Sequence, residues 1–276
     1  MRIVQRAATL PQAMDLEKME KEALEDFGHP CKKFFRSRAH CNPLSNNDGF
    51  EYPTTPDDMD WTDVFPALGD ARAGDRVRHL DVGCGFGGLA VALGALSPEL
   101  TLALEIRPKV CEYVRQRLDA LRRQHPGAYG NVGCLRHNAM LYLPNIVRKG
   151  QLAKIFFCFP DPHFKAKNHR RRIVSTSLLA EYAYALAPGG LLYAITDVRE
   201  LHEWHVAKLD AHPCFARVDA PPGDPYVAAI TESTEEGKKV ARQGGHMTDG
   251  SKYYAVYERK RPEDVDPAPA LWPDST

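Results

Sequence analysis

An apolar run from Ile155 to Phe159 stops abruptly in Pro160-Asp161-Pro162. Proline has no amide hydrogen and a fixed φ, so a sheet ladder cannot pass through two prolines one residue apart. A chain built this way delivers one carboxylate, Asp161, to the carboxyl end of a buried strand. That is where open α/β sheets place their ligands. Directly after it come Lys165, Lys167, Arg170, Arg171 and Arg172, five cations within eight residues and no acid among them. A lone acid beside a dense basic stretch couples a group that reads or polarises a substrate to a surface that holds a polyanion.

The surrounding pattern fits such a sheet. Val77 to Val82 reads as a strand, followed by a glycine turn and a helix through Leu96. Leu100 to Ile106 is a second strand, and Pro108 to Arg123 a helix with proline in its first turn. Val132 to Arg136, Ile155 to Phe159 and Leu191 to Thr196 supply three more strands. Leu178 to Leu186 reads as a helix closed by Pro188-Gly189-Gly190. Strands alternating with helices imply an α/β fold with a doubly wound, mostly parallel sheet. After a helix over 199–211 come short strands near 214–218 and 252–258, which suit an antiparallel C-terminal hairpin closing the sheet edge. Residues 1–31 read as an N-terminal extension, solvated and mobile, with a helix from Met14 to Phe27. Residues 32–261 form one domain with an N-terminal arm over 32–75, and 262–276 is a Pro-rich tail.

The chain carries 36 basic and 36 acidic residues, so no global field favours a nucleic acid. Charge is segregated instead, with acids gathered at 15–26 and 263–274 and bases at 32–38, 115–123 and 165–172. A neutral total can hide a positive face. Seven cysteines without a CxxC pair point to a reducing compartment and away from a disulfide framework or a zinc knuckle. No apolar run approaches the ~20 residues that span a bilayer. The first 14 residues lack acids and contain Arg2 and Arg6, a slight likeness to a transit peptide, but Ser is absent from them.

Asp81-Val82-Gly83-Cys84-Gly85-Phe86-Gly87-Gly88 follows the first strand and opens a helix. Glycines there allow close approach of backbone to ligand. Glu105 closes the second strand, placed to accept hydrogen bonds from ribose hydroxyls. An NAD enzyme and an S-adenosylmethionine enzyme would both put an acid there. Two features favour the latter. Asp81 stands where dinucleotide folds usually bury an apolar residue, and can receive the amino group or an ordered water of a methionine moiety. The extra Gly87 completes D-x-G-x-G-x-G-G, a pattern resembling class I (Rossmann-like) methyltransferases. His137-Asn138-Ala139 ends the third strand, where an adenine ring would lie. Asn138 either bonds the ring edge or caps the helix that follows.

Together these residues resemble the catalytic subunit of the eukaryotic tRNA (guanine-N7)-methyltransferase. The likeness runs from about Lys33 to Lys260. It rests on Arg36-Ser37-Arg38-Ala39-His40, Met59-Asp60-Trp61, Leu104-Glu105-Ile106-Arg107, Asn138-Ala139-Met140 and Phe159-Pro160-Asp161-Pro162-His163-Phe164-Lys165. It continues through Leu179 to Ala183, Ile195-Thr196-Asp197 and Ser233 to Lys239. The resemblance implies S-adenosyl-L-methionine as cofactor, with contacts from Gly83, Glu105, Ile106, Arg107, Asn138, Ala139 and Cys158. It makes Asp161 the active-site acid and sets Thr234, Glu235 and Glu236 at the edge of the same site. Family members often carry Leu where this chain has Cys158. The resemblance also implies tRNA as substrate, a WD-repeat β-propeller partner, and a nuclear location, with the cytoplasm as alternative.

Guanine N7 has an in-plane lone pair, so its methylation needs no base. Asp161 is expected to accept from the guanine N1 and N2 protons and to favour the cationic product. Phe164 is either a stacking partner for an unstacked base or a core residue. Lys32, Lys33, Arg36, Arg38, His163, Lys165, Lys167, Arg170, Arg171 and Arg172 are the expected RNA contacts. His202, His205 and His212 lack a completing acid or cysteine, so no metal is expected. Two competing readings are a nonenzymatic RNA-binding protein that keeps the fold, and an NAD oxidoreductase. Intact Asp81, Glu105 and Asp161 oppose the first, and the lack of an evident hydride-transfer set opposes the second.

Overall fold

A computed structural model of the chain describes residues 28–35, 37, 42–45, 49, 52–220, 223–243 and 251–265. The expected helix from Met14 to Phe27 and most of the Pro-rich tail lie outside the described residues. Among the described residues, seven strands form one sheet in the order β3-β2-β1-β4-β5-β7-β6. They are β1 (Val77–Val82), β2 (Leu100–Glu105), β3 (Val132–Arg136), β4 (Leu152–Cys158), β5 (Leu186–Thr196), β6 (Phe215–Val218) and β7 (Tyr253–Arg259). The first five run parallel; β7 lies antiparallel to both β5 and β6. The chain winds outward from β1 in one direction and resumes at β4 in the other. The crevice between β1 and β4 is therefore the topological switch point.

Helices on both faces explain why the end of β4, from Ile155 onward, reads as an unbroken apolar run. On one face α1 (Gly88–Leu96) and α2 (Pro108–Gln124) pack on the sheet. In α2 the buried Val110, Val114, Leu118 and Leu121 recur at helical spacing and mark its inner stripe. On the other face α3 (Thr176–Ala185) and α4 (Arg199–Asp210) bury Leu179, Tyr182 and Leu209 against a core that includes Leu80, Ile155, Phe157 and Leu192. The N-terminal arm sinks Trp61 and Phe65 into this same core. Farther out, Tyr52 packs against Tyr142 with ring centroids 3.7 Å apart and the rings tilted by 34°. Arg148 ties Asp57 and Asp75 together beside it.

Two expectations change in detail. Pro188-Gly189-Gly190 does not simply separate α3 from a strand, because β5 begins already at Leu186. Leu152 pairs with Leu186 and Lys154 with Leu191, so residues 187–190 bulge out of the ladder. Proline and a left-handed glycine are tolerated at such a bulge, Gly189 having φ +79°. The C-terminal antiparallel pair exists, but its strands are not joined by a tight turn. Between them lie a π-helical turn, Ala229–Ser233, and α5 (Glu235–Gln243), and β7 inserts between β5 and β6.

Candidate active site

The carboxyl ends of β1 to β4 and the start of α5 surround one cavity of about 340 Å³. Its wall includes Asp81 and Gly83 from the β1 end, Glu105, Ile106 and Arg107 from the β2 end, and Asn138 and Ala139 from the β3 end. Cys158 and Asp161 line it from the β4 end, and Thr234, Glu235 and Glu236 close its rim. Every residue expected to touch the cofactor thus meets in one place, together with the expected active-site acid. His163 and Arg171 join them from the basic segment.

Asp81 is 1% exposed and accepts from the amide of Ala90 at the start of α1. Its Oδ2 has no hydrogen-bond partner. Burial, with the nearby charge of Glu105, pushes its carboxyl up to about 7. An ionised oxygen without a donor is costly in such a place. A bound ammonium or an ordered water would supply what is missing. Directly above, the amides of Gly83 and Cys84 both donate to the carbonyl of Leu104, at 2.9 Å each, which folds the glycine loop over β2. Gly83 and Gly85 have φ of +74° and +55°, and a Cβ on either would enter open space. The loop therefore leaves its backbone bare toward the cavity. These features, an orphaned deep carboxylate and an uncovered glycine cradle, fit S-adenosylmethionine.

Glu105 is buried, and its acceptor sites are largely taken. The backbone amide and Nε of Arg107 donate to Oε1 at 2.9 and 3.0 Å, and Nη2 donates to Oε2 at 2.8 Å. A carboxylate offers about four acceptor positions, so a ribose diol using both oxygens must displace part of the Arg107 fork. Asn138 resolves as a cap. Its Oδ1 accepts from the Met140 amide at 3.1 Å, and its Nδ2 donates to the carbonyl of Pro43 at 2.7 Å. That second bond lays the N-terminal arm along the cavity, where Pro43 forms part of the wall. No periodicity in the sequence announces Pro43. Burial and the charge of Asp81 push the Cys158 thiol well above its ordinary range, so it packs as a neutral group.

Thr234 Oγ1 accepts from the Gly237 amide at 3.0 Å and starts α5. Burial raises the Glu235 carboxyl, but the hydrogen bond and charge of Lys32 and the charges of Arg117 and Lys238 outweigh it and leave the group below the usual range. Glu236 reaches Lys239 at 3.4 Å on the surface.

Asp161 stands half-buried between Pro160 and Pro162. The residues just outside, Phe159 and His163, have φ of 50° and 47°. Left-handed backbone in residues other than glycine costs on the order of 1–3 kcal/mol each, and persists where surrounding contacts hold it. The Phe159 amide donates to Ile195 at 2.8 Å, carrying the β4–β5 ladder up to the bend.

The expected RNA contacts divide. Lys165, Lys167 and Arg170 are exposed on or beside a short 3₁₀ helix, Ala166–Arg171, whose last residue lines the cavity. Arg171 lines the cavity, and its buried Nε has no partner. Phe164 is 53% exposed, so the core alternative for it does not hold. Lys33 is exposed, whereas Lys32 is bound to Glu235. Arg36 and Arg38 lie outside the described residues. Arg172 is a correction. Its side chain is 1% exposed and joined to Glu200 at 2.7 Å, so it is not available to a phosphate. Among the described residues no group of three or more His, Cys, Asp or Glu side chains is placed to hold a metal ion.

A family model described as a putative methyltransferase matches residues 75–249. A tRNA (guanine-N(7)-)-methyltransferase from Brugia malayi is 53% identical over 233 residues, covering 83% of this chain and 87% of that protein. The chain belongs to the tRNA (guanine-N(7)-)-methyltransferase family. A fission-yeast member, from Schizosaccharomyces pombe, is 46% identical over 88% of this chain and 90% of its own length. Among solved structures, the 16S rRNA methyltransferase KamB aligns with a TM-score of 0.46 and 13% identity, covering 70% of this chain and 94% of that one.

Proposed function

We propose that this chain transfers the methyl group of S-adenosylmethionine to N7 of a guanosine in tRNA. The observation that carries the reading is one cavity at the β1/β4 switch point. It joins an orphaned carboxylate and a bare glycine loop to Asp161 and an exposed basic segment, in a chain about half identical to enzymes of that name. When bound, the cofactor supplies an electrophilic methyl on a sulfonium and leaves as the neutral thioether. The chain's own residues orient, exclude water and place charge. Asp81, with its unpartnered Oδ2 in the cavity wall, would hold the positively charged amino group of the bound cofactor or a water beside it. Asp161, held at the open end of β4, accepts from the guanine N1–H and N2–H and lies beside a ring that gains positive charge as the N–C bond forms. No proton has to leave N7, so no general base is required. Lys165, Lys167 and Arg170 hold the RNA backbone at the mouth.

The test is transfer of labelled methyl from S-adenosylmethionine to unmodified tRNA, followed by mapping of the product. Asp161→Asn should lower turnover by at least ~100-fold, the scale of losing one oriented electrostatic contact. Cofactor affinity should stay near that of the wild-type chain. A fully active variant would remove Asp161 from its role. Wild-type enzyme that binds cofactor but transfers nothing to tRNA would overturn the reading.

The same reading includes a WD-repeat β-propeller subunit and a nuclear location, both supported by the family resemblance. Transfer by the chain alone should rise when such a subunit is co-expressed. Imaging of a fluorescent fusion decides between nucleus and cytoplasm.

A further inference from the structure

The one fully buried cation of the basic run is Arg172, and we infer that it is a positioning residue for Asp161. This rests on the proposed methyl transfer. Arg172 Nε donates to the carbonyl of Pro162 at 2.8 Å, the residue directly after Asp161. Its Nη2 donates to Glu200 Oε1 at 2.7 Å, and its guanidinium lies 4.7 Å from the ring centre of Trp204. Glu200 and Trp204 both belong to α4. Trp204 is fixed in turn, since its Nε1 donates to the Val174 carbonyl at 2.7 Å. One planar side chain therefore connects a packed helix to the bend that carries the active-site acid.

The bend needs such a tie. Phe159 and His163 hold left-handed backbone on either side of Pro160-Asp161-Pro162. On the β4 side the sheet secures the bend through the Phe159 amide and Ile195. On the far side the Pro162 carbonyl is past the last ladder pair, Cys158 with Ile195, and there Arg172 takes hold. A rigid fork suits this task because it can donate in two directions while stacking, which a lysine ammonium cannot do. Arg172 touches neither the cavity nor solvent, so its contribution to the reaction runs through the position of Asp161.

Arg172→Lys and Arg172→Gln separate this role from phosphate binding and from general support of the fold. Turnover is measured per cofactor-binding site, with sites counted by calorimetric titration, so that loss of folded protein does not register. We expect turnover per site to fall roughly tenfold or more, as misplacement of a reacting group by a fraction of an ångström does. Cofactor affinity should stay within about twofold of wild type, since the glycine loop is untouched. The slope of log Kd for tRNA against log salt should not change, because no phosphate contact is lost. A slope shallower by about one would reassign Arg172 to the RNA backbone and overturn the inference. So would unchanged turnover per site. Should both variants fail to fold, Glu200→Ala tests the same tie from the half-exposed end. It should lower turnover per site severalfold with cofactor affinity intact, and unchanged turnover there overturns the inference. Wild-type enzyme that methylates no tRNA refutes the proposed function instead.

Discussion

Asp81→Asn should make the cofactor-free protein more stable at alkaline pH while weakening its hold on the cofactor. In the folded chain the carboxyl sits up near 7 through burial and the charge of Glu105, against an ordinary value of 3.8. The folded state therefore keeps its proton over a range in which the unfolded chain has released it. Stability must fall as pH rises from about 4 to about 7, and the full penalty is present above that window. The gap corresponds to about 4 kcal/mol once both states are ionised. Asparagine removes the charge and keeps an oxygen for the Ala90 amide. It also places an NH₂ where Oδ2 has no partner, which costs about 1–3 kcal/mol. The net gain at pH 8 is then about 1–3 kcal/mol, or roughly 2–12 °C in melting temperature for a domain of this size.

At pH 5 the wild-type penalty has shrunk to about 2 kcal/mol, so the advantage of the variant should vanish or reverse. Differential scanning calorimetry of both proteins at pH 5 and pH 8 reads this directly. With saturating S-adenosylmethionine the variant's advantage at pH 8 should shrink to near zero or reverse, because only the wild-type carboxylate gains a charged partner. Loss of that contact, about 1.5–3 kcal/mol, lowers affinity ~10–100-fold. A variant that melts below wild type at pH 8, or by the same offset at both pH values, would refute the buried-charge reasoning.

The glycine at the start of α1 gives a second test. Gly88→Ala would usually favour a helix by up to about 1 kcal/mol. Here the new Cβ would strike the Ser233 carbonyl, a backbone atom with no rotamer to change. We expect a net loss of about 1–3 kcal/mol and weaker cofactor binding as Thr234 to Glu236 shift, both measured by thermal melts with and without cofactor. A stabilised variant with intact binding would contradict this. Replacing Lys165, Lys167 and Arg170 by Gln should reduce the salt slope of tRNA binding by about one per residue and leave cofactor affinity unchanged. A slope equal to wild type would remove that segment from the RNA interface.

The parts of this molecule that were legible in sequence are those where a local rule and the tertiary structure agree. The end of β4 reads as an apolar run because both sheet faces are covered, and β1, β2 and β4 each carry an acid at or just past their carboxyl ends, where a buried strand has no need of one. Asp81, Glu105 and Asp161 stand out for that reason. Arg172 was misread because a cation inside a basic run looks solvated. Its partners Glu200 and Trp204 are about thirty residues away and nothing local names them. Pro43 reaches the cavity beside Asn138, across 95 residues of chain. The π-helical turn Ala229–Ser233 has no apolar period to announce it. The start of β5 was hidden because its bulge is made of Pro-Gly-Gly, which also spells a turn.

The three strand-end acids have different surroundings, and the differences suit their places. Glu105 is paired with Arg107 within its own loop. Asp81 is left with an unmet oxygen at the floor of the cavity, and Asp161 is raised on strained backbone at its mouth. Both of the latter make the empty enzyme less stable than its core would allow. A cationic cofactor relieves the first, whereas the second is a standing strain borne by β5 on one side and by Arg172 on the other. Substitutions that relax the floor should therefore stabilise the protein and damage cofactor binding. Substitutions that relax the mouth should damage turnover alone. This separation would be lost if the cavity were merely a loosely packed end of the sheet, where every substitution would move stability, binding and turnover together.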